Sequence, residues 1–136
     1  IKHDLYGWPD GPRRLFRMEF PGGRTMYELP ATTYPLFGRN VPVGGGGYFR
    51  HSPYWYSKRM IQKMNGEGQP VVFYIHPWEI DPNIPRIEGL SLLQRFRTYS
   101  STAILRHKVE RLLEDFTFTT AAEYMQLFKK KRIGFE

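Results

Sequence analysis

Val71-Val72-Phe73-Tyr74-Ile75 runs without a polar interruption into His76, and prolines at 70 and 77 bracket the whole segment. That run is too short for a helix, and β-branched and aromatic residues dominate it, so it predicts a strand. Because apolar and polar residues do not alternate, both faces of the strand need cover, as in a parallel sheet packed by helices. A helix is predicted just before it. Ser52 can cap exposed amides and Pro53 loses no hydrogen bond at a first helical position. Tyr56, Met60 and Met64 recur every fourth residue with Ile61 beside them, and Asn65-Gly66 supplies a stop. A helix followed by a buried strand is the α/β signature.

The remaining segments fit one domain spanning the 136 residues. Residues 1–14 read as a turn-rich entry, because Gly7, Pro9 and Asp10-Gly11-Pro12 exclude a helix. Strands are predicted at Leu15–Phe20 and Met26–Leu29 around Pro21-Gly22-Gly23, with another extended stretch at Thr32–Phe37. Gly44 to Gly47 should form a loop, since four consecutive glycines lose too much entropy in regular structure. Pro77, Pro82, Pro85 and Gly89 make most of 77–100 a loop. A second helix follows at Thr102–Asp115, with Leu105, Val109, Leu112 and Phe116 inward. Thr120-Ala121-Ala122-Glu123 has capping-box spacing for a third.

Hydrophobic residues at 40% and charged residues at 24% suit a soluble globular chain. The absence of cysteine excludes disulfides and thiolate metal sites. No apolar run approaches the roughly 18 residues of a membrane span, and no secretory signal pattern opens the chain. It begins at Ile1, which leaves a removed leader or a piece of something longer as alternatives. The net charge of +7 is concentrated in Arg13-Arg14-Arg17 and Lys129-Lys130-Lys131-Arg132. The second cluster closes a predicted helix, where cations suit the negative dipole end; solvated charge is the leading reading of both clusters, beside attraction to nucleic acid, anionic lipid or acidic polysaccharide.

His76 is the leading candidate for chemistry. It ends the buried strand, where α/β sheets place reacting groups, and imidazole exchanges protons near neutral pH. Pro77-Trp78-Glu79 puts an aromatic face and a carboxylate beside it. From spacing alone a structural histidine and a catalytic one both fit. Trp8, Trp55, Trp78 and Tyr48 could stack on pyranose rings, Trp55 being better placed for a core and Trp78 for a sugar contact. Glycines 44–47 lack the Gly-Lys-Ser/Thr ending of a nucleotide loop; a backbone close to a sugar and a plain turn both remain. Of His3, His51, His76 and His107, no pair has His-x-x-x-His spacing, and no Asp-Asp pair occurs, so no metal ligand is assigned. His107 lies opposite a helix stripe and should be exposed.

Glu28-Leu29-Pro30-Ala31-Thr32-Thr33, the stretch Arg39 to Arg50 with its glycine run, and Phe73-Tyr74-Ile75-His76-Pro77-Trp78-Glu79-Ile80-Asp81-Pro82 resemble the C-terminal region of bacterial exopolysaccharide deacetylases. These form the exosortase-associated branch of the NodB-homology group, carbohydrate esterase family 4. His3 to Gly7 and Pro9 to Arg13 resemble the segment after that family's fourth motif, so the similarity covers nearly all of 2–116. The resemblance implies an α/β fold that is the C-terminal part of a distorted (β/α) barrel, incomplete on its own, with C-terminal helices. Residues 1–100 would be barrel-derived and 101–131 a helical extension. It implies a hydrolase that removes N-acetyl groups from a polymer of amino sugars, with zinc or another divalent metal held by an Asp-His-His set and an Asp base. Only His76 matches this machinery, as the general acid that protonates the leaving amine. Tyr74 stands where the family commonly has Leu in the acetyl pocket. Tyr74, Trp78, Glu79, Tyr48 and Arg50 are the candidate substrate contacts. Arg50, Asp81 and Arg86 fall in matching blocks and default to salt bridges.

On this reading no cofactor is bound by the chain itself, the metal motifs would lie upstream of Ile1, and the chain alone should be inactive. The expected partners are an N-acetylated polysaccharide and the N-terminal remainder of the deacetylase, with self-association through exposed edges and no nucleic acid. Two other classes stand beside it: a non-catalytic carbohydrate-binding module, and a basic nucleic-acid binder, for which no motif is present.

Overall fold

The computed structural model describes residues 11–81 and 83–133, without the side chains of 131–133. Two hairpins open the described chain. Strand β1 (Phe16–Phe20) pairs antiparallel with β2 (Arg24–Glu28), Phe16 opposite Glu28 and Phe20 opposite Arg24. Gly22 and Gly23 in the turn both have positive φ, a conformation that strains any residue with a Cβ. Strand β3 (Thr33–Leu36) pairs with β4 (Arg39–Pro42) through a two-residue turn in which Phe37 and Gly38 both have positive φ. Such turns match the right-handed twist of the strands. Here the first position is filled by a phenylalanine that is 96% exposed.

Helices supply the rest: α1 (Gly46–His51), α2 (Tyr54–Gly66), α3 (Leu92–Tyr99), α4 (Thr102–Asp115) and α5 (Ala121–Ile133). The core joins them. Val43, Phe49, Ile61, Met64, Leu105 and Leu112 are buried together, with Tyr54, Val71, Phe73, Val109 and Phe116 packed around them. The inward stripe expected for α4 is therefore present. On α2 the buried face runs through Ser57, Ile61 and Met64. Phe49 meets the edge of Phe73 at 5.0 Å between ring centroids. Truncating Phe49, Met64, Leu105 or Leu112 to alanine would cost about 2–5 kcal/mol each. At the far ends of α2 and α4, Asp115 accepts from Tyr54 Oη at 2.5 Å and Lys58 Nζ at 2.7 Å. Those two bonds hold the Asp115 carboxyl below its ordinary pKa. The Thr120–Glu123 capping box forms as its spacing predicts.

Several expectations are corrected. The architecture is mixed helix and sheet, but among the described residues the strands make two separate two-stranded sheets and no barrel. Val71–His76 is not a strand covered on both faces. A parallel bridge between Tyr74 and Gly45 is its pairing, and Tyr74 and His76 are exposed. Gly46 and Gly47 begin helix α1 instead of lying in a loop, and at Gly46 a contact described below leaves no room for a side chain. Ser52 consequently ends α1 and does not cap α2 through its side chain, and Pro53 sits one position before α2. Residues 92–99 are helical, not loop: Ser91 and Gln94 form a reciprocal cap, with Gln94 N–H donating to Ser91 Oγ at 3.3 Å and Ser91 N–H to Gln94 Oε1 at 2.9 Å. Trp55 is 68% exposed and not core. The turn-rich reading of residues 1–10, Trp8 included, falls outside the described residues.

Candidate functional site

Backbone approach assembles the site. Val43 N–H bonds Thr32 O at 3.0 Å, extending the β3–β4 hairpin to the glycine run. The buried Thr32 hydroxyl accepts Val72 N–H at 2.7 Å. Tyr74 N–H then donates to Gly44 O at 2.9 Å, and Gly46 N–H to Tyr74 O at 3.0 Å. Segments 43–46 and 72–74 thus lie side by side, and the glycines set how closely. A Cβ on Gly44 would stand 1.9 Å from Val72 O, one on Gly45 2.9 Å from Tyr74 Oη, and one on Gly46 2.5 Å from Glu79 Oε2. The run is a packing surface for the histidine segment, and neither a phosphate cradle nor a slack turn.

Beyond Ile75 the chain turns through a 3-10 turn at Pro77–Glu79. Glu79 is 7% exposed. Its Oε2 accepts His76 N–H at 2.9 Å and lies 3.3 Å from His76 Nδ1. The imidazole stacks on Trp78 at 4.3 Å and 18°, and meets the edge of Tyr74 at 6.1 Å. Half of the His76 side chain and 54% of Trp78 remain open to solvent. Four of the predicted site residues, Tyr74, His76, Trp78 and Glu79, are therefore brought together. Chemically they make a solvent-accessible proton-exchange group fixed to an exposed aromatic face, with a buried acceptor behind it.

Arg50 is placed otherwise. It is buried, and its guanidinium donates to the carbonyls of Arg97 and, at 3.4 Å, Thr98. Its default salt bridge is replaced by a cap on the C-terminal end of α3. Asp81 accepts Asn83 N–H at 2.8 Å, and Arg86 lies over the Tyr99 ring at 4.4 Å. Tyr48, on α1, is 55% exposed. Sequence reading missed Lys108, whose ammonium donates to the carbonyls of Phe49 (3.3 Å), Arg50 (2.8 Å) and Ser52 (2.8 Å) at the end of α1. Its burial lowers its pKa. Between these two cations His51 accepts from Arg50 Nε at 3.3 Å and stacks on Phe96 at 5.1 Å. Burial first, then Arg50 and Lys108, depress its pKa. His107 is exposed, as its position on α4 predicts.

A separate cavity of about 100 Å³ is lined by residues including Ile61, Val71, Phe73, Leu112, Phe116 and Phe118, none of them a predicted site residue. Among the described residues no three His, Cys, Asp or Glu side chains group to hold a metal ion. His76 Nδ1 and Glu79 Oε2 are two donors at best, short of the three protein ligands of a catalytic zinc. The described residues therefore do not fit a resident metal. No helix among them is long and apolar enough to cross a membrane.

A family model, that of a domain of unknown function (DUF3473), matches residues 1–126. No curated protein and no solved structure matches the chain.

Proposed function

The chain belongs to the DUF3473 family, and on that premise we propose that it is the C-terminal portion of a metal-dependent polysaccharide deacetylase, in which His76 is the general acid. The observation that carries this reading is the pairing of a half-exposed imidazole with an exposed indole stacked on it at 4.3 Å. Trp78 offers a flat apolar surface to the C–H side of an amino-sugar ring. His76 then lies within one residue's reach of a bound N-acetyl group. As the amide C–N bond breaks, Nε2–H passes its proton to the departing nitrogen, which leaves as an amine; without it an amide anion would have to leave. The resemblance to NodB-homology deacetylases in the Arg39–Arg50 and Phe73–Pro82 blocks supports the same assignment. In this reading Val71–His76 completes a barrel with strands supplied outside the chain. The metal and base would come from there too, and the exposed edges would favour self-association of the chain on its own.

A test follows in the metal-loaded protein that carries this segment. His76→Ala should release acetate from an N-acetylated polysaccharide about 10²–10⁴-fold more slowly, while the polymer is still retained. Full turnover in that variant would remove the acid role.

A second reading, a non-catalytic carbohydrate-binding module, is favoured by the exposure of Tyr48, Trp55, Tyr74 and Trp78. It predicts polymer retention by the isolated chain that is lost in Trp78→Ala, with acetate release independent of His76.

A further inference from the structure

His76 and His107 each have a glutamate oxygen 3.3 Å from Nδ1, three residues on in the chain. Their surroundings differ. Glu110 is 51% exposed and its carboxylate is shared with Arg106, whereas the Glu79 side chain is 9% exposed. An exposed pair of this kind is screened by water and holds little. A buried carboxylate must keep its donors, because losing one leaves an acceptor unsatisfied away from solvent. Glu79 Oε2 has two donors in reach, His76 N–H and Nδ1, so backbone and ring of one residue are tied to one atom. An ionised carboxylate only accepts, so the Nδ1 facing it must carry a hydrogen. Gly46 completes the arrangement, since a Cβ there would fall 2.5 Å from the same oxygen and 3.0 Å from Ile75 Cγ2.

We infer that Glu79 is a positioning residue that fixes His76 as its Nδ1–H tautomer and leaves Nε2 as the nitrogen free to exchange protons with a ligand. Its catalytic meaning rests on the acid role proposed for His76; the tautomer itself does not. Glu79 is accordingly a residue behind the imidazole and not a substrate contact. In that tautomer the lone pair of the ring is at Nε2. That atom takes a proton from solvent and delivers it to a leaving group, while Nδ1–H stays on the carboxylate throughout.

Long-range ¹H–¹⁵N correlation spectra of the ¹⁵N-labelled 136-residue chain, at about pH 8 where an ordinary histidine is neutral, read the tautomer of each ring. His76→Gln assigns the signal. The expected pattern is a protonated Nδ1 and an unprotonated Nε2 for His76, against an averaged pattern for His107. Glu79→Ala should shift His76 to the averaged pattern, and Glu79→Gln, which keeps an acceptor oxygen at the same reach, should restore Nδ1–H. An averaged or Nε2–H pattern in the unaltered chain overturns the inference even if Glu79→Ala does not fold. So does an unchanged pattern in a folded Glu79→Ala. An Nδ1–H pattern accompanied by full deacetylation in His76→Ala would sink the acid role and leave the positioning standing.

Discussion

A methyl group at three neighbouring glycines would meet three different obstacles, and this separates their roles. At Gly44 it would press on a backbone carbonyl, Val72 O at 1.9 Å, which can move only with the chain. At Gly45 it would meet the hydroxyl tip of Tyr74, the far end of a side chain and not backbone. At Gly46 it would meet the held carboxylate of Glu79, offset in part by the roughly 0.5–1 kcal/mol that alanine gains over glycine within a helix. Gly44→Ala should therefore cost about 3 kcal/mol or more, the upper range for overpacking, and Gly45→Ala less than about 1. Gly46→Ala should fall between them. Urea unfolding of the three variants checks the order; equal losses would mean the run is a slack turn after all. At this scale the sequence revealed one half of the site and hid the other. The His76-Pro77-Trp78-Glu79 block was legible because its residue types carry chemistry. The reason for the glycines was not, since what makes a glycine necessary is the atom opposite it, and that atom belongs to a distant part of the chain, Val72 for Gly44 and Glu79 for Gly46.

Helices α2 and α4 follow from periodicity and α5 from its capping box, and the first two strands from the Pro21-Gly22-Gly23 turn between them. Helix α3 escaped because the prolines and glycine of 77–90 masked the Ser91–Gln94 capping signal behind them. Its apolar residues Leu92, Leu93 and Phe96 are left open in the fold: residues 92–97 are all exposed. What holds it is at its end, where Arg50 binds its last carbonyls and His51 stacks on Phe96. That junction carries a pH dependence. Partial burial, Arg50 and Lys108 all disfavour the charged form of His51, so its folded pKa lies below the ordinary value of about 6.5. A protonated ring would also turn an N–H toward the Arg50 Nε donor. Above about pH 6.5 the ring is neutral in both states and nothing is lost. As pH falls through that value the unfolded chain takes up the proton first, so stability decreases. The carboxylates with depressed values, Glu110, Asp115 and Glu123, add their own losses only at lower pH, below their ordinary range near 4. Urea midpoints should thus drop between about pH 7 and pH 5, and His51→Gln should flatten that drop. An identical slope in the variant would contradict the assignment.

At the scale of the molecule, much surface among the described residues is left without cover: Leu92 and Phe37 are almost wholly open, and the hairpin β1–β2 buries none of its strand residues. The α/β character read from the helix-then-strand order survives as mixed helix and sheet. The extent of the sheet could not be read from Val71–His76, since an apolar run says that a strand wants cover without saying which chain provides it. Tyr74 and His76, exposed here, are where that cover or a ligand would sit. The acid role proposed for His76 has Nε2 protonating a leaving nitrogen. In the metal-loaded protein that carries this segment, the most direct measurement compares His76→Ala with the unaltered protein on two substrates. One is an N-acetylated amino-sugar polymer, whose amine must be protonated to leave. The other is an aryl acetate ester, whose phenolate leaves unaided. The account predicts a loss of about 10²–10⁴-fold in kcat on the amide and almost none on the ester. Equal losses on both, or none on either, would contradict it.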